Sequence, residues 1–256
     1  MSNLRRILPT AVAAAALTLA GAGVAAAAVH PGAGYTIVTD NGTTVACTLA
    51  DVTRLEDGRV LATTAGHCGH PGQAVTLEGT GETGVIVAAS DPHGQMQARR
   101  YGDRGEDLVD FAIVEFPAGT EVDTRVSSTW RPPATGTPAD PVLSLIEVPT
   151  IPAPLADNGV RDLDAEPVRQ GEILCKDGRA SGRTCGVALG QSTSDVTAWI
   201  PVRAGDSGGI LYDLDGRVVG VTSRADRATG IPGANVWQRR DYAVSGDAAQ
   251  YMTMGR

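Results

Sequence analysis

Gly205-Asp206-Ser207-Gly208-Gly209, set between Ala204 and Ile210, decides how the rest of the chain is read. A serine between an acid and two glycines can present its hydroxyl on a tight turn. Glycine reaches backbone conformations closed to other residues and lets a second group approach closely. Two amides of such a turn, those of Gly205 and Ser207, can then converge on one point and hold an oxygen that gains negative charge. One donor of that kind is worth about 2.7–4 kcal/mol. The competing reading is a polar hairpin turn without chemistry.

A serine hydroxyl becomes a useful nucleophile only when a base takes its proton, so a histidine is required. The chain has four. His67 lies in Thr63-Thr64-Ala65-Gly66-His67-Cys68, directly after the apolar Val60-Leu61-Ala62, which places it where a strand gives way to a loop. His70 in Gly69-His70-Pro71-Gly72 and His93 in Asp91-Pro92-His93-Gly94 read as turn residues, and His30 as part of a loose terminal segment.

Thr64-Ala65-Gly66-His67-Cys68 and Gly205-Asp206-Ser207-Gly208-Gly209 together resemble the two signature motifs of chymotrypsin-like serine proteases, whose triad runs His, Asp, Ser along the chain. The resemblance implies an aspartate between them that orients the imidazole. Asp110 opens Phe111-Ala112-Ile113-Val114, similar to the family's acid at the start of a buried strand; Asp107 lacks that context, and Asp103 is more distant. The implied catalytic set is therefore His67, Asp110 and Ser207, with Gly205 and Ser207 forming the oxyanion hole.

Residues 1–28 carry Arg5 and Arg6, then a run of Ala, Val, Leu, Gly and Thr that ends in small residues, the pattern of a cleaved secretory signal peptide. The run is only weakly apolar for an uncleaved anchor. Its removal leaves about 228 residues, enough for one large domain or two small ones. The two arginines leave with it, taking the formal charge from −8 to −10. That surface argues against nucleic acid and anionic membranes as partners. The expected partners are protein or peptide substrates, the expected location is extracellular, and the expected state is a monomer.

Four cysteines in a secreted chain make disulfides the default, and three connectivities are open. The chain has no C-x-x-C pair, which disfavours zinc, and no metal or organic cofactor is expected. Leu174-Cys175-Lys176-Asp177-Gly178 and Ser181-Gly182-Arg183-Thr184-Cys185-Gly186 are similar to a cysteine-bounded hairpin of the streptogrisin and α-lytic branch of bacterial secreted proteases, with Ser181 where that branch has threonine. This resemblance implies Cys47–Cys68 and Cys175–Cys185. It also implies a structural ion pair in which Lys176, the only lysine, holds Asp206 and replaces the freed terminal amine of mammalian relatives. Lysine here gives up arginine's bidentate fork. The short span before the first strand leaves no room for a large pro-region, so activity is expected once the chain is exported and oxidised.

Short apolar segments, among them Tyr35–Val38, Arg59–Ala62, Gly84–Ala88, Phe111–Val114, Val142–Ile146 and Arg217–Val221, alternate with Gly, Pro and Asp turns, and no long amphipathic helix intervenes. The reading is all-β, with two antiparallel six-stranded barrels and the active site in the cleft between them. An N-terminal barrel over 29–131 carries the His and Asp, and a C-terminal barrel over 132–256 carries the Ser and the substrate pocket. The Pro-rich Arg131–Pro138 forms the crossing, and Asp247–Met252 a short helix.

By resemblance, Pro201, Val202, Arg203 and Ala204 line one pocket wall and Ser223, Arg224 and Ala225 the other. No aspartate stands where trypsin has one, since Pro201 aligns there, and Ala225 replaces a glycine. Arg203 and Arg224 either favour acidic substrates or face solvent. The implied function is a secreted serine endopeptidase acting through an acyl-enzyme. The alternative is a catalytically inactive binding module on the same fold. An α/β-hydrolase esterase would need G-x-S-x-G and the order Ser, Asp, His, and the chain has neither.

Overall fold

The computed structural model describes residues 29–90, 109–123, 159–225 and 233–243. The expectations for residues 1–28, His93, Asp103, Asp107, the crossing at 131–138, the strand at 142–146 and the helix at 247–252 lie outside them.

The first half is one antiparallel sheet of seven strands: β1 Gly34–Val38, β2 Thr44–Thr48, β3 Val52–Arg54, β4 Val60–Thr64, β5 Ala74–Leu77, β6 Thr83–Ala89 and β7 Ala112–Phe116, in the order β2-β1-β5-β6-β7-β4-β3. Burial alternates along β1 and β5, as expected of strands with one face on a core. Along β4 every residue is buried, because this strand is enclosed on both faces.

The second half is a closed barrel: β8 Ile173–Gly178, β9 Gly182–Gln191, β10 Asp195–Trp199, β11 Ile210–Asp213, β12 Val218–Ala225 and β13 Asn235–Arg239, closing in the order β10-β13-β12-β11-β8-β9. Trp237, Val196, Ala198, Leu211 and Val219 fill its interior. A single helical turn, α1 Arg240–Ala243, follows β13.

The second barrel thus has the expected six strands, whereas the first half is a curled seven-stranded sheet that stays open between its end strands β2 and β3. β2 and β3 follow each other along the chain, joined by residues 49–51, and the glycine loop of the other half is seated at the end of β2. Thr48 N at the end of β2 donates to Ser207 O at 2.8 Å. Gly208, at φ +83°, lies so close to Thr64 Oγ1 and Thr48 O that no Cβ would fit. Cys175, Cys185, Ile210, Tyr212, Val218 and Val221 of the second half belong to the same buried cluster as the core of the first. The two halves share one apolar junction, and the loop of interest sits on it.

Candidate active site

His67 lies on a single 3-10 turn, Gly66–Cys68, immediately after β4. Gly66 packs so tightly on the backbone of Phe111 that a side chain there would collide. Cys68 is bonded to Cys47 of β2, so the turn is fixed at both ends. Antiparallel pairing of β4 with β7 sets Thr64 opposite Ala112, and this register carries Asp110, two residues before Ala112, alongside His67.

Asp110 is buried, and both its carboxylate oxygens face His67: Oδ1 accepts from the His67 backbone N at 2.8 Å and Oδ2 lies 2.8 Å from Nδ1. Ser223 Oγ, from β12, donates to Oδ2 at 2.6 Å. The Asp110 backbone N–H donates to Gln238 Oε1 at 2.9 Å. Burial pushes the Asp110 carboxyl up, but its bonds to His67 and Ser223 and the imidazole's charge outweigh that and hold it below the usual range. Burial likewise pushes His67 down, and the bond to Asp110 and its negative charge raise it above the ordinary value. An imidazole so placed is fixed in one tautomer, with Nδ1–H toward Asp110 and Nε2 free to accept a proton.

The Gly205–Gly209 loop joins β10 to β11. Thr48 Oγ1 donates to Gly205 O at 2.7 Å, while its backbone N holds Ser207 O. The amides of Asp206, Gly208 and Gly209 donate to Arg203 O, Thr222 O and Asp206 O. The amides of Gly205 and Ser207 have no acceptor among the described residues. Gly205 adopts φ +99°, a conformation glycine permits. Cys68 Sγ, on the residue after His67, approaches Ser207 O to 3.9 Å. No hydrogen bond links Ser207 Oγ to His67 Nε2 among the described residues. In an unliganded site this contact is often long and closes only around the substrate.

Beneath the loop, Lys176 Nζ lies 2.7 Å from Asp206 Oδ2, and both side chains are fully buried. Ser181, the departure from the branch pattern, completes this contact: its hydroxyl accepts from Lys176 and donates to Asp206. The amides of Ala180 and Ser181 donate to Oδ1 and that of Arg203 to Oδ2. Burial raises Asp206, but the Lys176 charge and these bonds hold it below its usual range. Burial lowers Lys176, against the pull of Asp206. Cys175 and Cys185, opposite each other on β8 and β9, are bonded and close this hairpin.

The expected pocket walls meet through Asn235: its backbone pairs with Ala225, and its side chain donates to Ile200 O, next to Pro201. Pro201 O accepts from Thr184 Oγ1, and Val202 packs against the barrel interior. Arg203 closes the turn onto Asp206 through its backbone, and Ala204 is exposed. On the other wall, two side chains have partners of their own. The Ser223 hydroxyl serves Asp110. Arg224 of β12 reaches past β13 to pair with Asp195 Oδ2 on β10 at 2.7 Å, and also donates to Ser223 Oγ at 3.3 Å.

A cavity of about 560 Å³ opens on the disulfide side of His67, lined among others by Asp40, Val45, His70, Pro71 and Ser90. His70 lies 3.4 Å from Asp40 at its rim. Cys47, His67 and Cys68 come within 4.8 Å of one another, but both sulfurs are in the disulfide, so only the imidazole could bind a metal there.

A curled sheet that carries His67 and Asp110, docked on a closed barrel that carries the Gly205–Gly209 loop, is the chymotrypsin-like two-barrel fold seen in bacterial serine proteases. The solved structures similar to this chain include Nocardiopsis protease, at 19% identity and a TM-score of 0.56 over 85% of this chain and 95% of that one. Thermobifida fusca protease A follows at 17% identity, 0.54, and 86% and 95% coverage. Cellulomonas bogoriensis chymotrypsin stands at 20%, 0.52, and 88% and 96%. No family profile and no curated protein sequence matches the chain.

Proposed function

We propose that the chain is a secreted serine endopeptidase that hydrolyses peptide bonds through His67, Asp110 and Ser207. The observation that carries this reading is the double contact of Asp110 with the backbone and ring of His67, made beside a glycine loop whose Gly205 and Ser207 amides have no acceptor among the described residues.

In this reading Ser207 Oγ attacks the peptide carbonyl carbon while His67 Nε2 takes its proton. The carbonyl oxygen becomes an oxyanion held by the amides of Gly205 and Ser207, each worth about 2.7–4 kcal/mol. His67 then gives the proton to the leaving amine, and the C–N bond breaks to leave an acyl-enzyme. Water, deprotonated by the same imidazole, releases the acid and returns the proton to Ser207. Asp110 stays ionised, fixing the tautomer and stabilising the imidazolium. Lys176 supports the loop by neutralising Asp206 from within, a role that needs no newly cut terminus. The Arg224 guanidinium, engaged by Asp195, is not offered to an acidic substrate; selectivity falls to the segment Pro201–Ala204 and its Ala225 wall.

A fluorophosphonate probe tests this reading. Labelling of the oxidised wild type that Ser207→Ala and His67→Ala both abolish is the expected result. A folded wild type that does not label would sink it in favour of a binding module on the same fold.

A further inference from the structure

We propose that Gln238 is a positioning residue for Asp110, holding the backbone of the triad acid from the opposite half of the molecule; this rests on the catalytic reading above.

Gln238 lies on β13 of the closed barrel and is fully buried. Its Oε1 accepts from Asp110 N at 2.9 Å, across the junction and 128 residues away in sequence. Its Nε2 donates to Ser194 O at 2.6 Å. Asp110 N–H can only donate and the Ser194 carbonyl can only accept, so the amide has one orientation that satisfies both. A buried polar side chain with both ends bonded is held rigidly, and what it holds is rigid in turn. Ser194 O is itself fixed, since it also accepts from Arg239 N at 2.8 Å.

The consequence for the site is geometric. Ser223 Oγ grips one carboxylate oxygen of Asp110 and Gln238 grips its main chain, and both belong to the second half. Asp110 itself leads into β7 of the first half. The carboxylate that aligns His67 is thus placed by the partner barrel at two points, one on the side chain and one on the backbone. Loss of the backbone point lets Asp110 drift relative to His67 and leaves its buried N–H without an acceptor. Catalysis is sensitive to drift of this kind: a misplacement near 1 Å can cost about a hundredfold.

Gln238→Met keeps the side-chain length and removes both bonds. In enzyme counted by active-site titration, kcat is expected to fall about ten- to hundredfold with KM within about twofold. In Ser207→Ala protein, the His67 imidazole signal followed by NMR is expected to titrate at lower pH than with Gln238 present, because Asp110 no longer supports the imidazolium as well. Gln238→Glu retains an acceptor for Asp110 N–H and is expected to recover part of the lost kcat. If the methionine variant does not fold, Gln238→Asn, too short to span both partners, is read the same way. A folded variant with lowered melting temperature but unchanged kcat and unchanged His67 titration overturns the proposal. The NMR titration does not depend on hydrolysis. A wild type inert to the fluorophosphonate therefore overturns the endopeptidase, while the His67 shift still decides the role of Gln238.

Discussion

Lys176 and Asp206 meet at 2.7 Å with no solvent access to either side chain, and Asp206 immediately precedes Ser207. Removing one partner of a buried pair leaves an uncompensated charge, which costs about 3–5 kcal/mol. Lys176→Met is therefore expected to lower stability by that amount in urea unfolding and to disorder the Gly205–Gly209 loop, abolishing probe labelling. Lys176→Met combined with Asp206→Asn removes both charges and is expected to cost less than the sum of the single changes. Additive losses would mean that the charges do not act on each other.

The same pair sets a pH limit. Asp206 is held below its ordinary 3.8, so its contribution to stability is complete above that pH and is lost as pH falls through the lower folded value. Asp110 acts in the same direction. Acid unfolding is expected to begin below pH 4 and to move upward in Asp206→Asn, as followed by circular dichroism.

His67 works with the opposite sign. Its folded pKa lies above 6.5, so the stability it contributes is complete below 6.5 and is lost as pH rises through the folded value. Catalysis needs the neutral imidazole, so the acid limb of kcat/KM is expected above pH 6.5. Asp110→Asn removes the charge that raises His67. It is expected to move the limb to lower pH and, by favouring the wrong imidazole tautomer, to cut kcat by about 10⁴-fold. A limb that does not move would separate Asp110 from the base.

Gly208 combines φ +83° with a lack of space beside Thr64 and Thr48. A side chain there meets backbone strain of about 1–3 kcal/mol and overpacking of a similar size. Gly208→Ala is expected to lose most of its probe labelling and several degrees of thermal stability. Gly216→Ala, at φ +79° in the β11–β12 turn, is expected to lose stability alone.

Cys47–Cys68 closes a 21-residue span and anchors the turn that bears His67. Its loss, in Cys47→Ala/Cys68→Ala, is expected to cost about 3 kcal/mol by chain entropy. It is also expected to reduce kcat, whereas Cys175→Ala/Cys185→Ala acts first on the hairpin that carries Lys176. Unfolding and turnover measured on both double variants separate the two effects.

The junction of His67 and Asp110 was legible in sequence because each residue sits in a short local pattern: a histidine after a strand, an acid before one. Strands β1, β4, β6, β7 and β12 were legible as apolar runs. The glycine-rich β9 and the polar-edged β10 were not, since closure of the barrel, and not their own alternation, makes them strands. Ser223 reads as pocket wall only by resemblance; its bond to Asp110 spans 113 residues. Gln238 and Thr48 carried no signal at all. Each is an ordinary polar residue that matters only through what the tertiary fold sets against it, and no local pattern encodes that.

Thr48 grips the carbonyls of both Gly205 and Ser207, yet it is made long before either of them during synthesis. The second half made alone, or a chain cut between the halves and separated, would lack the Thr48 bonds to this loop and the His67 imidazole, and so would carry Ser207 without a base. Chemistry of the proposed kind would then begin only when the last-made barrel lands on the first.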